Sequence, residues 1–311
     1  MKRSREKNNR ISARVLFRII MVFGMLVRSV SRRTSTAIAH FLGDFVFYIL
    51  KTRRRLVTDN LSLTFPGKNN SEIRAIARRV YRNQAENVIE VFRLPMIKTA
   101  KDAERLMDVD AFDIAYKGID RKKGVVLVSA HFGNWELLGL CTGMMMGTMT
   151  IVVKQLKNPK IDRLINAWRT MRGNTIVYKH KALREGLRTL RQGGILTLLG
   201  DQSDPKGGFF TEFLGRRTSV FLGPAFLALK AGVPLYVGMC RRTGNGRYIV
   251  DSEKIDMTGL GTTRADAEEL TRRYTKALER YIYCYPEEWF WLHDRWKRTG
   301  RLTEPNGHMA T

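Results

Sequence analysis

The sequence predicts an α/β protein built on a single mixed, largely parallel sheet flanked by helices, with a helical segment of different character at the N-terminus. Three observations predict it. The apolar runs at 124–130, 149–153, 195–199 and 235–240 have the length and β-branched content of strands buried on both faces. Stretches of helical period lie between them, which is the alternation that builds a parallel sheet with crossover helices. A chain of 311 residues with 44% hydrophobic content is also long enough and apolar enough to bury a substantial core.

Up to Arg33 the chain carries ten Lys or Arg and one acid, Glu6. Inside that basic stretch lies Ile19-Ile20-Met21-Val22-Phe23-Gly24-Met25-Leu26-Val27, shorter than the roughly 20 apolar residues a bilayer-spanning helix needs. A second stretch repeats apolar residues at Ile38, Leu42, Phe45, Val46 and Ile49 but also holds His40 and Asp44. The pair reads as amphipathic, interfacial helices whose basic flanks suit an anionic cytoplasmic leaflet. A single-pass anchor with Arg18 snorkelling toward the headgroups is a second reading. A cleaved signal peptide is a third, opposed by the poor cleavage site Ser29-Val30-Ser31. Residues 1–50 are therefore expected to form a membrane anchor and 51–311 one catalytic domain.

The remaining elements follow in order. Residues 71–93 read as a helix capped by Ser71. Strand 124–130 leads into a helix that carries Glu136. Strand 149–153, helix 159–172, strand 175–178, helix 182–192 and strand 195–199 come next. After a glycine-rich loop, a short strand at 209–213 precedes a helix at 224–231. Strands 235–240 and 247–251 pair around the turn Gly244-Asn245-Gly246, and 264–283 is a long amphipathic helix.

The net charge of +26 calls for anionic partners. No helix-turn-helix, zinc-finger or RNP-like pattern accompanies it, so a membrane surface is favoured over nucleic acid. Cys141, Cys240 and Cys284 are scattered and odd in number, which fits buried thiols in a reducing setting rather than disulfides or a metal site.

Chemistry concentrates in His131-Phe132-Gly133-Asn134-Trp135-Glu136, directly after the apolar strand 124–130. A strand's carboxyl end is where open α/β sheets place their sites. Neutral imidazole takes a proton near pH 7, and a carboxylate on the following helix can orient it and stabilise the imidazolium. Such a base contributes about 10²–10⁴ in rate. His131 and Glu136 are the expected catalytic pair.

This H-x4-E block closely resembles the H-x4-D/E motif of the lipid A late acyltransferases, the lauroyl/myristoyl transferase family. Arg54-Arg55 with Asn60-Leu61 and Phe65-Pro66 resembles that family's R-x-x-x-x-N-L-x-x-x-F-P segment. Arg169 and Arg172-Gly173 fall where it carries downstream basic residues. Gly200-Asp201-Gln202, Phe213-x-Gly215 and Gly223-Pro224-Ala225 match its next blocks, and residues 286–297 match P-x-x-W-x-W-x-H-x-R-W-K. The blocks run in order over roughly residues 15–300.

The resemblance implies a glycerolipid-acyltransferase-like fold at the cytoplasmic face of a bacterial inner membrane. It implies transfer of a fatty acyl group from acyl carrier protein or acyl-CoA to a hydroxyl of a lipid A precursor, with no cofactor or metal. His131 would take the hydroxyl proton while Glu136 orients it. Another lipid acceptor, such as a glycolipid, an amino-acid lipid or a lysophospholipid, is the alternative. Arg169 and Arg172 read either as solvated charges or as holders of a phosphate or developing oxyanion. Asp201 either caps a loop or arranges the site. Asn134, Arg169, Arg172, Asp201 and Gln202 are the expected substrate-binding residues. Trp289, Trp291 and Trp296 read as core and His293 as a satisfied partner; Phe221, Leu222, Phe226 and Leu227 each read as ordinary helix core, with walls of an acyl pocket as the alternative.

Overall fold

The computed structural model describes residues 17–109, 123–204 and 209–297. A helix α1 covers 17–29, and α2 (Arg32–Phe45) follows with Ser31 as its cap. One π-helical turn, Val46–Leu50, ends α2. The chain then reverses through Lys51 and Arg53, both with positive φ, into α3 (Arg54–Thr64).

The long helix α4 (Asn70–Arg93) begins one step earlier than the sequence suggested. Asn69, not Ser71, is its cap: the Asn69 side chain accepts the N–H groups of Ser71 and Glu72, both at 3.0 Å. Glu72 returns the bond to the Asn69 N–H at 2.9 Å. Asn69 is extended (φ −76°, ψ 167°) whereas Ser71 is already helical, and a cap needs the extended conformation.

Contacts from α4 to α2, α1 and the turn between them cross position 50. Arg78 and Arg82 both grip Asp44, and Arg93 donates to the carbonyls of Val27 (2.6 Å) and Val30 (3.0 Å). Among the described residues, no helix is long and apolar enough to cross a membrane.

Next come α5 (Ala100–Leu106), the two-residue β1 (Met107–Asp108), β2 (Val125–Ser129), α6 (Trp135–Met146), β3 (Met149–Val153), α7 (Pro159–Thr170) and β4 (Thr175–Tyr178). They are followed by α8 (Ala182–Arg191), β5 (Ile195–Leu199), β6 (Phe209–Phe213), β7 (Arg216–Val220), α9 (Gly223–Ala231), β8 (Leu235–Arg242), β9 (Tyr248–Lys254) and α10 (Arg264–Cys284). Seven strands form a sheet in the order β1-β9-β8-β2-β5-β3-β4. Pairing is parallel except between β8 and β9, the hairpin read from the sequence.

The sheet is not the only one. β6 and β7 form a separate antiparallel ribbon, which was not expected because Arg216-Arg217 breaks the apolar pattern of its second strand.

Strand β2 explains its own continuous hydrophobicity. Val126 and Val128 enter one core with α8, α9 and α10, while Val125 and Leu127 enter another with α5 and α6. A strand covered on both faces has no polar alternation to show.

Candidate active site

Register sets the site. β2 and β5 lie side by side with Ser129 opposite Leu199, so His131 and Asp201 each stand two residues beyond paired strand ends. The His131 ring donates from Nδ1 to Asp201 Oδ1 at 2.8 Å, and the His131 backbone N–H donates to Asp201 Oδ2 at 3.0 Å. Trp289 Nε1–H adds a third bond to Oδ2 at 2.9 Å. Asp201 is buried.

Burial by itself would push the Asp201 carboxyl up. The adjacent imidazolium and these hydrogen bonds outweigh it and hold the pKa at about 2. Burial likewise opposes charge on His131, but Asp201, and behind it Glu136, raise the imidazole above its ordinary value. With Nδ1–H committed to Asp201, Nε2 is the basic atom. The His131 side chain keeps 21% of its surface open, between Trp135 (5.1 Å between ring centres) and Phe290 (6.2 Å). Gln202 Nε2 lies 3.3 Å from His131 Nε2.

Glu136 therefore does not orient His131, contrary to the sequence expectation. In the first turn of α6 it faces α7, where Arg169 clasps both its oxygens, Nε to Oε2 at 2.8 Å and Nη2 to Oε1 at 2.5 Å. Its influence on His131 is through space. Arg169 is spent on Glu136 and on Asn166 Oδ1 at 3.0 Å; burial opposes its charge, but Glu136, with Asp162 behind it, raises its pKa.

Three other expectations need correction. Asn134 is 1% exposed and turned inward. Its amide donates to Glu90 at 2.8 Å and its oxygen caps α6 through the Leu137 N–H at 3.0 Å, so substrate cannot reach it. Arg172 is occupied by the carbonyls of Ile97 and Met171. Asp201 is buried and bonds to His131, which is the site-arranging reading and not a substrate contact. Leu227 is buried in the core, as the core reading has it, while Phe226 is open to solvent and Phe221 lies under Lys179.

The loop that carries His131 is clamped from three sides. Gly133 has φ +54°, and a Cβ there would lie 1.6 Å from the Cys240 carbonyl oxygen, so only glycine fits. Its N–H donates to the Glu288 carbonyl at 3.0 Å, and its own carbonyl accepts from Asn87 at 2.6 Å. Phe290 N–H donates to the His131 carbonyl at 2.9 Å.

Behind Asn134, Glu90 also accepts from Tyr248, from Arg32 on α2 at 2.7 Å and from Arg242 at 3.3 Å. Trp289, Trp291 and Trp296 are buried. The sequence reading of these rings as core omitted the bond from Trp289 to the acid. His293 Nε2 has no partner among the described residues.

Cys141 and Cys240 are buried, and burial pushes the Cys141 thiol up to about 12 and the Cys240 thiol well above its ordinary value. Neither offers a thiolate nucleophile.

A strand-end imidazole with a buried carboxylate on Nδ1 and a basic Nε2 is a general-base site, one that can take a proton from a hydroxyl or water. Comparison with known proteins narrows this class. The chain matches the family described as bacterial lipid A biosynthesis acyltransferase over residues 3–298, and it belongs to that family of acyltransferases. It is similar to the phosphatidylinositol mannoside acyltransferase of Mycolicibacterium smegmatis, at 26% identity over 67% of each chain. It is also similar to two Escherichia coli proteins. One is the lipid A biosynthesis lauroyltransferase, at 25% identity over 86% of this chain and 84% of that one. The other is the palmitoleoyltransferase, at 23% over 86% and 85%.

Proposed function

We propose that the protein transfers a fatty acyl chain from a thioester, on acyl carrier protein or coenzyme A, to a hydroxyl of a lipid A precursor at the cytoplasmic face of a bacterial inner membrane. The observation that carries this is the His131–Asp201 pair, which leaves Nε2 as the basic atom with only the Gln202 amide against it among the described residues.

In the reaction His131 Nε2 takes the acceptor hydroxyl proton as the oxygen attacks the thioester carbonyl. Asp201 stabilises the imidazolium. When the tetrahedral intermediate collapses the C–S bond breaks, and the imidazolium returns its proton to the departing thiolate. An ester and a free thiol result. The buried, protonated cysteines favour direct transfer over an acyl-enzyme.

The first fifty residues are read as the interfacial anchor and the remainder as the catalytic domain. Exposed apolar side chains on α1 and α2, with Leu26 at 61% and Phe41 at 70%, support that reading.

A second acceptor, a hydroxyl on the sugar of a phosphoinositol glycolipid, is favoured by the similarity to the mycobacterial protein. Lipid mass spectrometry of a strain lacking the protein, complemented by the parent or by His131→Ala, separates the two. The reading expects one acyl chain to be missing from lipid A in the deletion and in the His131→Ala strain alike. A chain missing from a glycolipid selects the second acceptor. No lipid change, or full rescue by His131→Ala, overturns both.

A further inference from the structure

Away from His131, a solvent-open cavity of about 530 Å³ lies between the π-helical turn, α3 and the start of α4. Its lining carries four cations, Lys51, Arg54, Arg55 and Arg74, and one acid, Asp59. Among the described residues Arg55 alone of the four has an acid within reach, Asp59 at 3.7 Å, on a side chain 95% exposed. Arg54 spends one N–H on the Phe47 carbonyl at 3.3 Å. The guanidinium groups of Arg54 and Arg74 both lie over the Phe47 ring, 5.6 and 5.7 Å from its centre.

Neighbouring cations on α4 are treated differently. Arg78 and Arg82, one and two turns on from Arg74, share Asp44. The cavity thus keeps a concentration of positive charge that the fold neutralises next door, and such a concentration recruits an anion. Guanidinium pairs suit phosphate in particular.

The surroundings say what the anion is attached to. Ile49 and Leu50, immediately before Lys51, and Leu63 on α3 are exposed large apolar residues. A free phosphate has no use for them, whereas a lipid places its phosphate beside its acyl chains.

We propose that this cavity seats the phosphate of an anionic phospholipid headgroup while Ile49 and Leu50 enter the acyl boundary. The proposal rests on the interfacial reading of the N-terminal helices and adds a specific headgroup site whose cations, Lys51, Arg54, Arg55 and Arg74, lie after residue 50. The seat also has a place relative to the chemistry. Arg53, at its edge, donates to the Leu292 carbonyl at 2.6 Å, in the same segment whose Phe290 lies against His131. A lipid held there sets the membrane plane beside the catalytic ring without being a reactant.

The test is flotation of the full chain with phosphatidylcholine vesicles, with and without phosphatidylglycerol. Arg54→Gln with Arg74→Gln is expected to lower partition onto phosphatidylglycerol vesicles about 30-fold, taking roughly 1 kcal/mol per cation near the surface and 1.4 kcal/mol per tenfold. Binding to phosphatidylcholine alone and activity on detergent-dispersed substrate should stay within two-fold or so of the parent. Arg55→Gln with Arg74→Gln leaves the Arg54–Phe47 bond intact and should give the same result should the first pair disturb the turn.

Arg184→Gln with Arg188→Gln, on α8, removes the same charge elsewhere. If that control loses as much, or if the cavity variants lose nothing, the proposal is overturned. Millimolar glycerol phosphate that strips the protein from vesicles completely would assign the cavity to soluble phosphate esters instead. Leu26→Ser with Phe41→Ser reads the interfacial anchor separately, since it should weaken binding to both vesicles. Parent-like binding by that variant sinks the anchor and leaves the phosphatidylglycerol increment still reporting on the cavity.

Discussion

Asp201→Asn isolates the pair on which the mechanism turns. The substitution keeps the shape and the capacity to accept from Trp289 but removes the charge. Asp201 is 2% exposed and its pKa falls from 3.8 to about 2, so the pair is favoured by about 2 kcal/mol on the scale of 1.36 kcal/mol per pKa unit. Losing that from the forming imidazolium slows proton removal about 30-fold. An amide that favours the wrong tautomer adds to this, as it does behind the histidine of serine-nucleophile triads. We expect kcat to fall about 10²–10⁴-fold with KM little changed.

The pH profile moves too. The parent base must be neutral to act and its pKa is raised, so the acid limb of kcat/KM lies above the ordinary 6.5. In the variant, burial acts unopposed by Asp201 and the limb moves to lower pH.

Stability follows the same signs. Asp201, with its lowered pKa, contributes fully above the unfolded value of 3.8, and that contribution is lost as pH falls from there through about 2. His131, with its raised pKa, contributes fully below 6.5 and loses its share as pH rises through the folded value. The stability gap between parent and variant should be widest between about pH 4 and 6.5 in urea titrations. A variant within three-fold or so of parental kcat, or an acid limb that does not move, refutes the dyad.

Two further outcomes are expected. Glu136→Gln and Arg169→Gln should each cut kcat, and the double variant should be no worse than either. The bidentate pair acts as a unit, so a double-mutant cycle should return a coupling of about 1–3 kcal/mol, and additive losses would separate the two roles. Gly133→Ala should lower thermal stability and abolish turnover, because its Cβ meets the Cys240 carbonyl within 1.6 Å on a left-handed backbone; near-parental melting and rate would contradict the clamp.

The sheet was legible because burial on both faces leaves strands such as 125–129 and 195–199 apolar but for Ser129 and Thr197, a pattern that needs no partner to be read. β1 is two residues long and α3 opens on Arg54-Arg55 with no capping side chain, so neither carries a local signal.

His131 stood out by its position after a strand, but its partner did not. Linear spacing brought Glu136 forward at five residues, whereas Asp201 is 70 residues away. What would have found it is the equal offset of both residues from their strand ends, and that requires knowing that β2 and β5 are neighbours. Non-local strand order is what hydrophobic period does not contain. Asn134 misled for a related reason. As the cap of α6 it had a local task that leaves its amide to a buried network with Glu90, and nothing in the loop's sequence marks which way an amide turns.

The clasp around the catalytic loop comes from the segment that follows α10. Trp289 completes the coordination of Asp201, while Glu288 and Phe290 tether the backbone at Gly133 and His131. These residues follow β2 and β5 by almost ninety positions or more in the chain. Strands, helices and even the acid–imidazole register can therefore form before them, yet the base is left unfastened until the segment after α10 has docked.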